Sequence, residues 1–345
     1  MLVDPAREKP TRFSDLSDQS VDTDQDTDQE SSPVVCLPML SAEHVSMLVA
    51  QKSLAAAQFW RLRTYGSVDS TNRMLKEHLR AGDGEGLCIS ALEQHGGYGR
   101  QGRHWSSPVG GLYTSFLLRP SVPLSDIPLL SLVMSVAVRR TVAEFVPDEA
   151  LQSELLVKWP NDVLYNGGKI TGISLEALAD GVCVGVGLNA FHPLVRKMVP
   201  GKYQLSYLFD EQVATSEQGA PMLSNDQRAR MEHVLAALLV HVHAAYLRWC
   251  TKGFADFLDE FRQHMAFVDR LVTLETIDGT AFVQGHIEGV NADGNLLVRD
   301  AQGTIHQAAS GEVHVASFDD WFKQPSKLGN HEGGFERAAL KQKRF

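Results

Sequence analysis

The sequence predicts an α+β fold, a sheet flanked by helices and followed by a small all-β unit. Three observations predict it. Strand-like runs are gathered between Phe59 and Asn189, several of them joined without an intervening helix. Two long stretches read as helices: Ile127–Val146, strongly apolar and expected on a sheet face, and Gln227–Lys252, with apolar residues at helical spacing. After Val268 the pattern changes to short strands separated by tight turns, which suggests a small barrel.

The chain has 345 residues and a formal net charge of -10, long enough for two or three domains with a sizeable core. An acidic balance argues against a general nucleic-acid surface but allows one local basic site. Residues 1–32 hold nine acids and three bases, with Asp22, Asp24, Asp26 and Asp28 alternating with Thr and Gln. So little apolar material predicts a solvated, disordered acidic tail over 1–38. A calcium loop would need a central Gly and a closing Glu that are absent. The four cysteines, at 36, 88, 183 and 250, include no CxxC pair, which favours reduced thiols over zinc or disulfides. No apolar run of transmembrane length and no apolar signal core are legible, so a cytoplasmic location is expected, with no membrane partner.

A helix over Ser41–Ala57, with Ser41 as its cap and Glu43 in its first turn, precedes the body. One such helix before Phe59 is too little for a helix-turn-helix DNA reader, so no nucleic-acid partner is expected. Phe59–Tyr65 alternates as a strand, and Gly66 to Asn72 turns into a helix capped by Asp69 or Ser70. The hydroxyls there either cap the helix or meet a ligand's polar head beside exposed amides. Gly86–Leu92 and Leu112–Leu118 are buried strands that hold the two ends of a loop.

That loop, Gln94 to Trp105, contains four glycines, two arginines and two histidines, and no acid occurs from Gln94 through Ser125. Glycines permit positive φ and close backbone approach, and Arg100 and Arg103 can hold carboxylate or phosphate oxygens in a fixed fork. The loop therefore suits an anionic ligand, against the plainer reading of a charged mobile surface loop. Gly97-x-Gly99-x-x-Gly102 also fits a dinucleotide fingerprint, but Pro108, Gly110 and Gly111 oppose the helix that the fingerprint needs.

Leu156 and Val157 read as a strand, after which Trp159-Pro160 bends the chain and delivers Asn161 and Asp162. Asp162 could bind a cation, orient a lysine or cap a turn. Asn166-Gly-Gly168 is a hairpin signal, and Lys169–Glu176 is the returning strand. Lys169 could be an edge gatekeeper. Gly172, inside the strand, points to something lying close to the backbone. The next strand, Val182–Leu188, ends at Asn189. Adjacent strands thus bring Lys158, Lys169, Asp162, an amide and glycines to one face. Beyond it, Phe191–Asp226 reads as a long loop with short helices. Gln227–Lys252 follows as a helix on which His241 and His243 do not share a face, and Phe254–His264 is a second helix. Strands over 271–277, 281–288, 295–299, 304–307 and 313–316 close the series.

Five blocks, in order and spacing, resemble the bacterial biotin protein ligases, or biotin–acetyl-CoA-carboxylase ligases. They are Asp69-Ser-Thr-Asn72, Gly97-Tyr-Gly-Arg-Gln-Gly-Arg-His-Trp105, Lys158-Trp-Pro-Asn-Asp162, Gly168-Lys-Ile-Thr-Gly-Ile173 and Gly185-Val-Gly-Leu-Asn189. The likeness spans about residues 59–317. The family loop usually reads Gly-Arg-Gly-Arg-x-Gly-Arg, and Tyr98 stands where the first arginine would be.

The resemblance implies a class II synthetase-like mixed sheet as a biotin- and ATP-binding catalytic domain over 39–265. An SH3-like domain over 266–317 would assist ATP and carrier binding, and 318–345 is a polar extension. It implies activation of biotin by ATP to biotinoyl-5'-AMP, then transfer to a lysine of a biotin carboxyl carrier protein. Arg100 and Lys169 would stabilise the reacting carboxylate and phosphate. Asp162 would act through Mg2+ or by orienting a lysine. Ser70, Thr71, Asn72 and Gln94 would meet biotin, with Gly97 and Gly172 allowing close approach. Tyr98, Arg103 and Trp105 would complete the loop's share of the site, with Lys158, Asn161 and Asn189 beside the nucleotide or its metal. The type implied is monofunctional, without the DNA-binding domain of the repressor forms. Family members often form homodimers by aligning sheets, though no interface is legible here.

Overall fold

The computed structural model describes residues 39–178, 181–194, 204–276 and 279–315. The expected acidic tail, Cys36 and the polar extension lie outside the described residues.

Helix α1 (Ala42–Lys52) starts at Ser41, whose side chain accepts from the His44 amide. The single helix expected to Ala57 is in fact two. Ser53 is extended and both ends α1 and caps α2 (Leu54–Phe59), its side chain accepting from the Ala56 amide. A serine competes well for local backbone groups, and here that competition breaks the helix. Next come β1 (Arg61–Val68), α3 (Thr71–Arg80) and β2 (Leu87–Gln94). Ser70 occupies the cap position of α3 but makes no capping bond; the Thr71 amide donates instead to Gln94 Oε1 at 2.9 Å.

Strand β3 (Gly111–Leu118) leads through a 3-10 segment at Leu124–Leu129 into α4 (Leu130–Ala143) and the short α5 (Glu149–Gln152). The helix expected from Ile127 begins later because Pro128 lacks the amide an α-helix interior needs. Four strands follow: β4 (Leu156–Lys158), β5 (Asp162–Tyr165), β6 (Gly168–Leu178) and β7 (Gly181–Asn189). The Trp159-Pro160 peptide, which is cis, turns β4 into β5. Asn166 and Gly167, both at positive φ, make the two-residue hairpin between β5 and β6.

Among the described residues of 191–224 no helix forms. The only regular pieces there are β8 (Ala214–Thr215) and β9 (Pro221–Met222), a two-stranded ribbon. Helix α6 (Asn225–Lys252) opens on a capping box between Ser224 and Gln227. It is long and apolar enough to cross a membrane, with a window of mean hydropathy 1.3, but 61% of that window is buried inside the protein. It is therefore the core helix its apolar spacing predicts. A 3-10 turn (Phe254–Phe257) and α7 (Leu258–Gln263) follow.

The main sheet has seven strands in the order β1-β2-β3-β7-β6-β5-β4. β1 and β2 run parallel across the α3 crossover, and every other pairing is antiparallel, so the sheet is mixed. Helices α4 and α6 pack together on one face, with α1 and α2 against α6. On the opposite face α3 seals Leu75 over Leu87, Ile89, Leu117 and Cys183. It packs on β2, β3 and β7, while the short 3-10 turn Arg100–Gly102 of the loop lies against β6.

The C-terminal strands β10 (Leu271–Glu275), β11 (Ala281–Val290), β12 (Leu296–Arg299), β13 (Ile305–Ala308) and β14 (Glu312–Val315) form one antiparallel sheet. Their order is β13-β12-β11-β10-β14, compatible with an SH3-like unit. Trp159 Nε1 donates to the Gly294 carbonyl at 3.0 Å and Arg262 Nε to that of Val290 at 2.9 Å, tying this sheet to the main body.

Candidate active site

Cross-strand register builds the floor of the site. Lys158 pairs with Asp162, Asp162 with Gly172, Gly172 with Gly187, and Gly187 with Tyr113, so one row crosses β4, β5, β6, β7 and β3. Two of its members are glycines for a packing reason. A Cβ on Gly172 would lie 2.8 Å from Trp105 Cζ3, and one on Gly187 would lie 2.5 Å from Trp105 Nε1. The indole therefore lies flat in a trough that any side chain would fill. Gly185 does the same for Asn72 and Ser174.

Above this floor is a cavity of about 430 Å³ that runs between the helical face, the loop and the C-terminal sheet. One end is polar and uncharged. The Thr71 hydroxyl donates to Gln94 Oε1 at 3.1 Å, and Gln94 Nε2 donates to Ser107 Oγ at 2.9 Å. Ser115 Oγ stands 2.7 Å from Thr71 Oγ1 and 2.5 Å from Asn72 Oδ1, while Asn72 Nδ2 donates to Ser174 Oγ at 3.0 Å. Ser70, Thr71 and Asn72 are all buried. Rigid, internally satisfied donors and acceptors of this kind suit one small polar head with an apolar body.

The other end is cationic. Lys169 Nζ stands 2.7 Å from Asp162 Oδ1 and 5.1 Å from the centre of the Trp105 ring. Lys158 Nζ lies 3.7 Å from Asp162 Oδ2. Burial would push the Asp162 carboxyl up, but Lys169 and Lys158 together hold it below the ordinary carboxylate range. It therefore stays ionised and orients ammonium groups. Burial lowers the Lys158 ammonium, against the pull of Asp162. Arg100 Nη1 donates to Asn161 Oδ1 at 3.0 Å, and Asn161 Nδ2 donates to the Ile173 carbonyl at 2.7 Å. Burial also lowers the Arg100 guanidinium. Arg103 is bonded to Glu312 of β14, which raises its guanidinium and helps to hold the Glu312 carboxyl down against the effect of burial.

The structure brings Ser70, Thr71, Asn72, Gln94, Tyr98, Arg100, Arg103, Trp105, Lys158, Asn161, Asp162, Lys169 and Gly172 to the wall of this one cavity. Gly97 and Asn189 are not in the wall. A Cβ on Gly97 would meet Ser107 Oγ, the Trp105 carbonyl and Gln94 Nε2, so the packing inside the loop itself requires a glycine there. Asn189 is buried and donates to the Lys169 carbonyl at 3.2 Å, so it supports the lysine from behind. Gly172, in the wall, makes room for the Trp105 indole.

A metal held by Asp162 does not fit this donor set. Its carboxylate is already engaged by two ammonium groups, and among the described residues no group of three His, Cys, Asp or Glu side chains could hold a metal. Mg2+ usually keeps several waters and takes one or two carboxylates plus substrate phosphates.

The resemblance implied that the C-terminal domain assists binding, but the wall residues Glu275, Thr276, Glu312, Val313 and His314 were not individually legible. No local pattern brings residues some two hundred positions apart together. Ser174 could have been found, because alternation along β6 puts it on the face of Gly172.

The biotin/lipoate A/B protein ligase family is matched over residues 65–189. The chain is 31% identical over 245 residues to the biotin–[acetyl-CoA-carboxylase] ligase of Paracoccus denitrificans, covering 68% of this chain and 92% of that one. It is 28% identical over 256 residues to the bifunctional ligase/repressor BirA of Bacillus subtilis, covering 72% of each. Among solved structures, a biotin protein ligase from Aquifex aeolicus in complex with biotin and ATP aligns with a TM-score of 0.54 and 28% identity. That alignment covers 72% of this chain and 95% of the other. The chain belongs to the biotin/lipoate A/B protein ligase family. The resemblance to biotin protein ligases and the α+β class expected from it are both borne out.

Proposed function

We propose that this chain is an ATP-dependent biotin ligase that makes biotinoyl-5'-AMP and passes the biotinoyl group to a lysine of a carboxylase's biotin carboxyl carrier protein. One observation carries the reading. A neutral polar well at Thr71, Asn72 and Gln94 and a cationic end at Arg100, Lys158 and Lys169 share one cavity, with the Trp105 indole as its floor. An acid with a polar ring and an apolar chain would lie with its ring in the well and its carboxylate at the cations.

In the first step a carboxylate oxygen attacks the α-phosphorus, and the bond to the β-phosphate oxygen breaks with its electron pair leaving on pyrophosphate. Both reactants are anions, so fixed cations aimed at the shared oxygens lower the barrier. Lys169, oriented by Asp162, and Arg100, oriented by Asn161, take that role. In the second step a carrier amine attacks the acyl carbon, sheds a proton, and AMP leaves. No enzyme nucleophile is required.

ATP and biotin are thus substrates, with Mg2+ entering on the triphosphate. A cytoplasmic place of action and the absence of a nucleic-acid partner are part of the proposal. The net charge of -10 supports the latter, and so do α1 and α2, whose Val45, Val49 and Ala56 join the core. The test is incubation with MgATP and biotin, lipoate or octanoate in parallel, read as adenylate mass. Biotinoyl-AMP formed in clear preference supports the reading, and adenylate from lipoate or octanoate alone overturns it.

A further inference from the structure

One carboxylate outside the cavity wall joins the loop to the polar well. Glu176 on β6 accepts from the Tyr98 hydroxyl at 3.0 Å and from Asn72 Nδ2 at 3.3 Å on the same oxygen, Oε1. Its other oxygen is held by Lys76 Nζ of α3 at 2.6 Å. The Tyr98 ring is flanked by Lys76 Nζ at 5.2 Å and by the Arg73 guanidinium at 5.5 Å, and Arg73 is itself fixed by Asp69. Tyr98 stands at the neck of the loop, bridged to His104, with Gly99 N donating to the Arg103 carbonyl and Trp105 N to that of Gly97.

We propose that Glu176 is a positioning residue: with Lys76 it clasps Tyr98 and so holds the loop 94–105 closed over the cavity before any ligand binds. The chemistry of position 98 makes the difference. A phenol is a neutral donor, and here a protein carboxylate already accepts from it. Burial raises the Tyr98 hydroxyl further, which keeps it protonated. Asn72 hangs from the same oxygen, so the clasp also fixes one wall of the well. Loop order is then a property of the free protein, and binding does not have to supply the ordering cost.

Arg100 and Arg103 make the loop its own reporter, because trypsin cuts after arginine when a segment opens. In the protein without substrates, cleavage after Arg100 and Arg103 should be slow, and adding biotin should change it by less than about twofold. Tyr98→Phe and Glu176→Ala should each speed it by about fivefold, the size of one ordinary hydrogen bond. Together they should do little more than Glu176→Ala alone, since the one contact that Tyr98→Phe removes is already lost in Glu176→Ala. Glu176→Gln keeps an acceptor for Tyr98 and should stay within about twofold of wild type. Cleavage at other sites and the thermal midpoint report whether a variant merely unfolds. A wild-type loop cut rapidly until biotin is added would overturn the clasp. So would Tyr98→Phe and Glu176→Ala loops cut at the wild-type rate.

For the chemistry the inference rests on the biotin ligase reading: a looser loop should release biotinoyl-AMP faster. The protease experiment needs no substrate. A protein that passes it but makes no adenylate contradicts the proposed function and leaves the clasp standing.

Discussion

Lys169 on β6 and Asp162 on β5 stand 2.7 Å apart, and the same ammonium lies 5.1 Å from the centre of the Trp105 ring. One lysine is thus held by a carboxylate from the neighbouring strand and an indole from the loop. Its backbone carbonyl is fixed by Asn189. This convergence is what makes a flexible side chain a positioned one.

Replacing Asp162 by Asn tests that convergence. The variant would leave Lys158, 4% exposed, and Lys169 beside each other without their shared counter-charge. Breaking a buried pair by removing one partner costs about 3–5 kcal/mol. Denaturant unfolding should show a loss of that order, and adenylate formation should fall by about a hundredfold as Lys169 loses its orientation. Wild-type stability together with wild-type turnover would contradict the assigned role.

The glycine trough makes a second prediction. Gly172→Ala or Gly187→Ala puts a Cβ 2.8 Å or 2.5 Å from the indole of Trp105, so the ring must lift into the cavity. Overpacking of this kind costs about 1–3 kcal/mol. Both variants should fold, with a raised KM for the carboxylic acid substrate. An unchanged KM in both would show that Trp105 does not floor the binding site.

The pH dependence follows from Lys158. Burial sets its folded pKa below the ordinary value of 10.5, so it loses its proton at lower pH than a free lysine. A phosphate contact needs the ammonium, and the KM for ATP should therefore rise with pH before 10.5 is reached. Stability should move the opposite way. Between the lowered folded value and 10.5 the unfolded chain binds more protons, so this group makes folding more favourable as pH rises. Asp162, depressed below 3.8, contributes stability fully above that value, and the contribution is lost as pH falls through its folded pKa. Steady-state kinetics and denaturant midpoints across an alkaline series would separate the two trends. A KM and a midpoint that both worsen together would contradict them.

Much of the site was legible because its chemistry is local. Asn166-Gly167 announces its hairpin through positive φ, and Trp159-Pro160 announces its bend, so β4, β5 and β6 and the residues Lys158, Asp162 and Lys169 follow from neighbours in sequence. Gly172 was readable as a close approach, although what approaches is Trp105, from the loop. Helix breaks were less legible. Ser53 and Pro128 sit in apolar-periodic runs that a window reads as continuous. Gly97 and Asn189 were read for a ligand alone, and the structure adds contacts with Ser107 and the Lys169 carbonyl, because sequence does not show which neighbours a small or polar residue serves. Glu312 was out of reach for another reason. Its pairing with Arg103 depends on how the C-terminal sheet seats against the loop.

The most direct measurement is single-turnover adenylation with biotin and MgATP, comparing wild type with Arg100→Ala and Lys169→Ala. The account predicts stoichiometric biotinoyl-AMP and pyrophosphate from wild type, and a rate lower by about a hundred- to a thousandfold for each variant, the usual cost of removing one preorganised donor. Pyrophosphate that never appears from folded wild-type protein, or variants that form the adenylate at the wild-type rate, would contradict it.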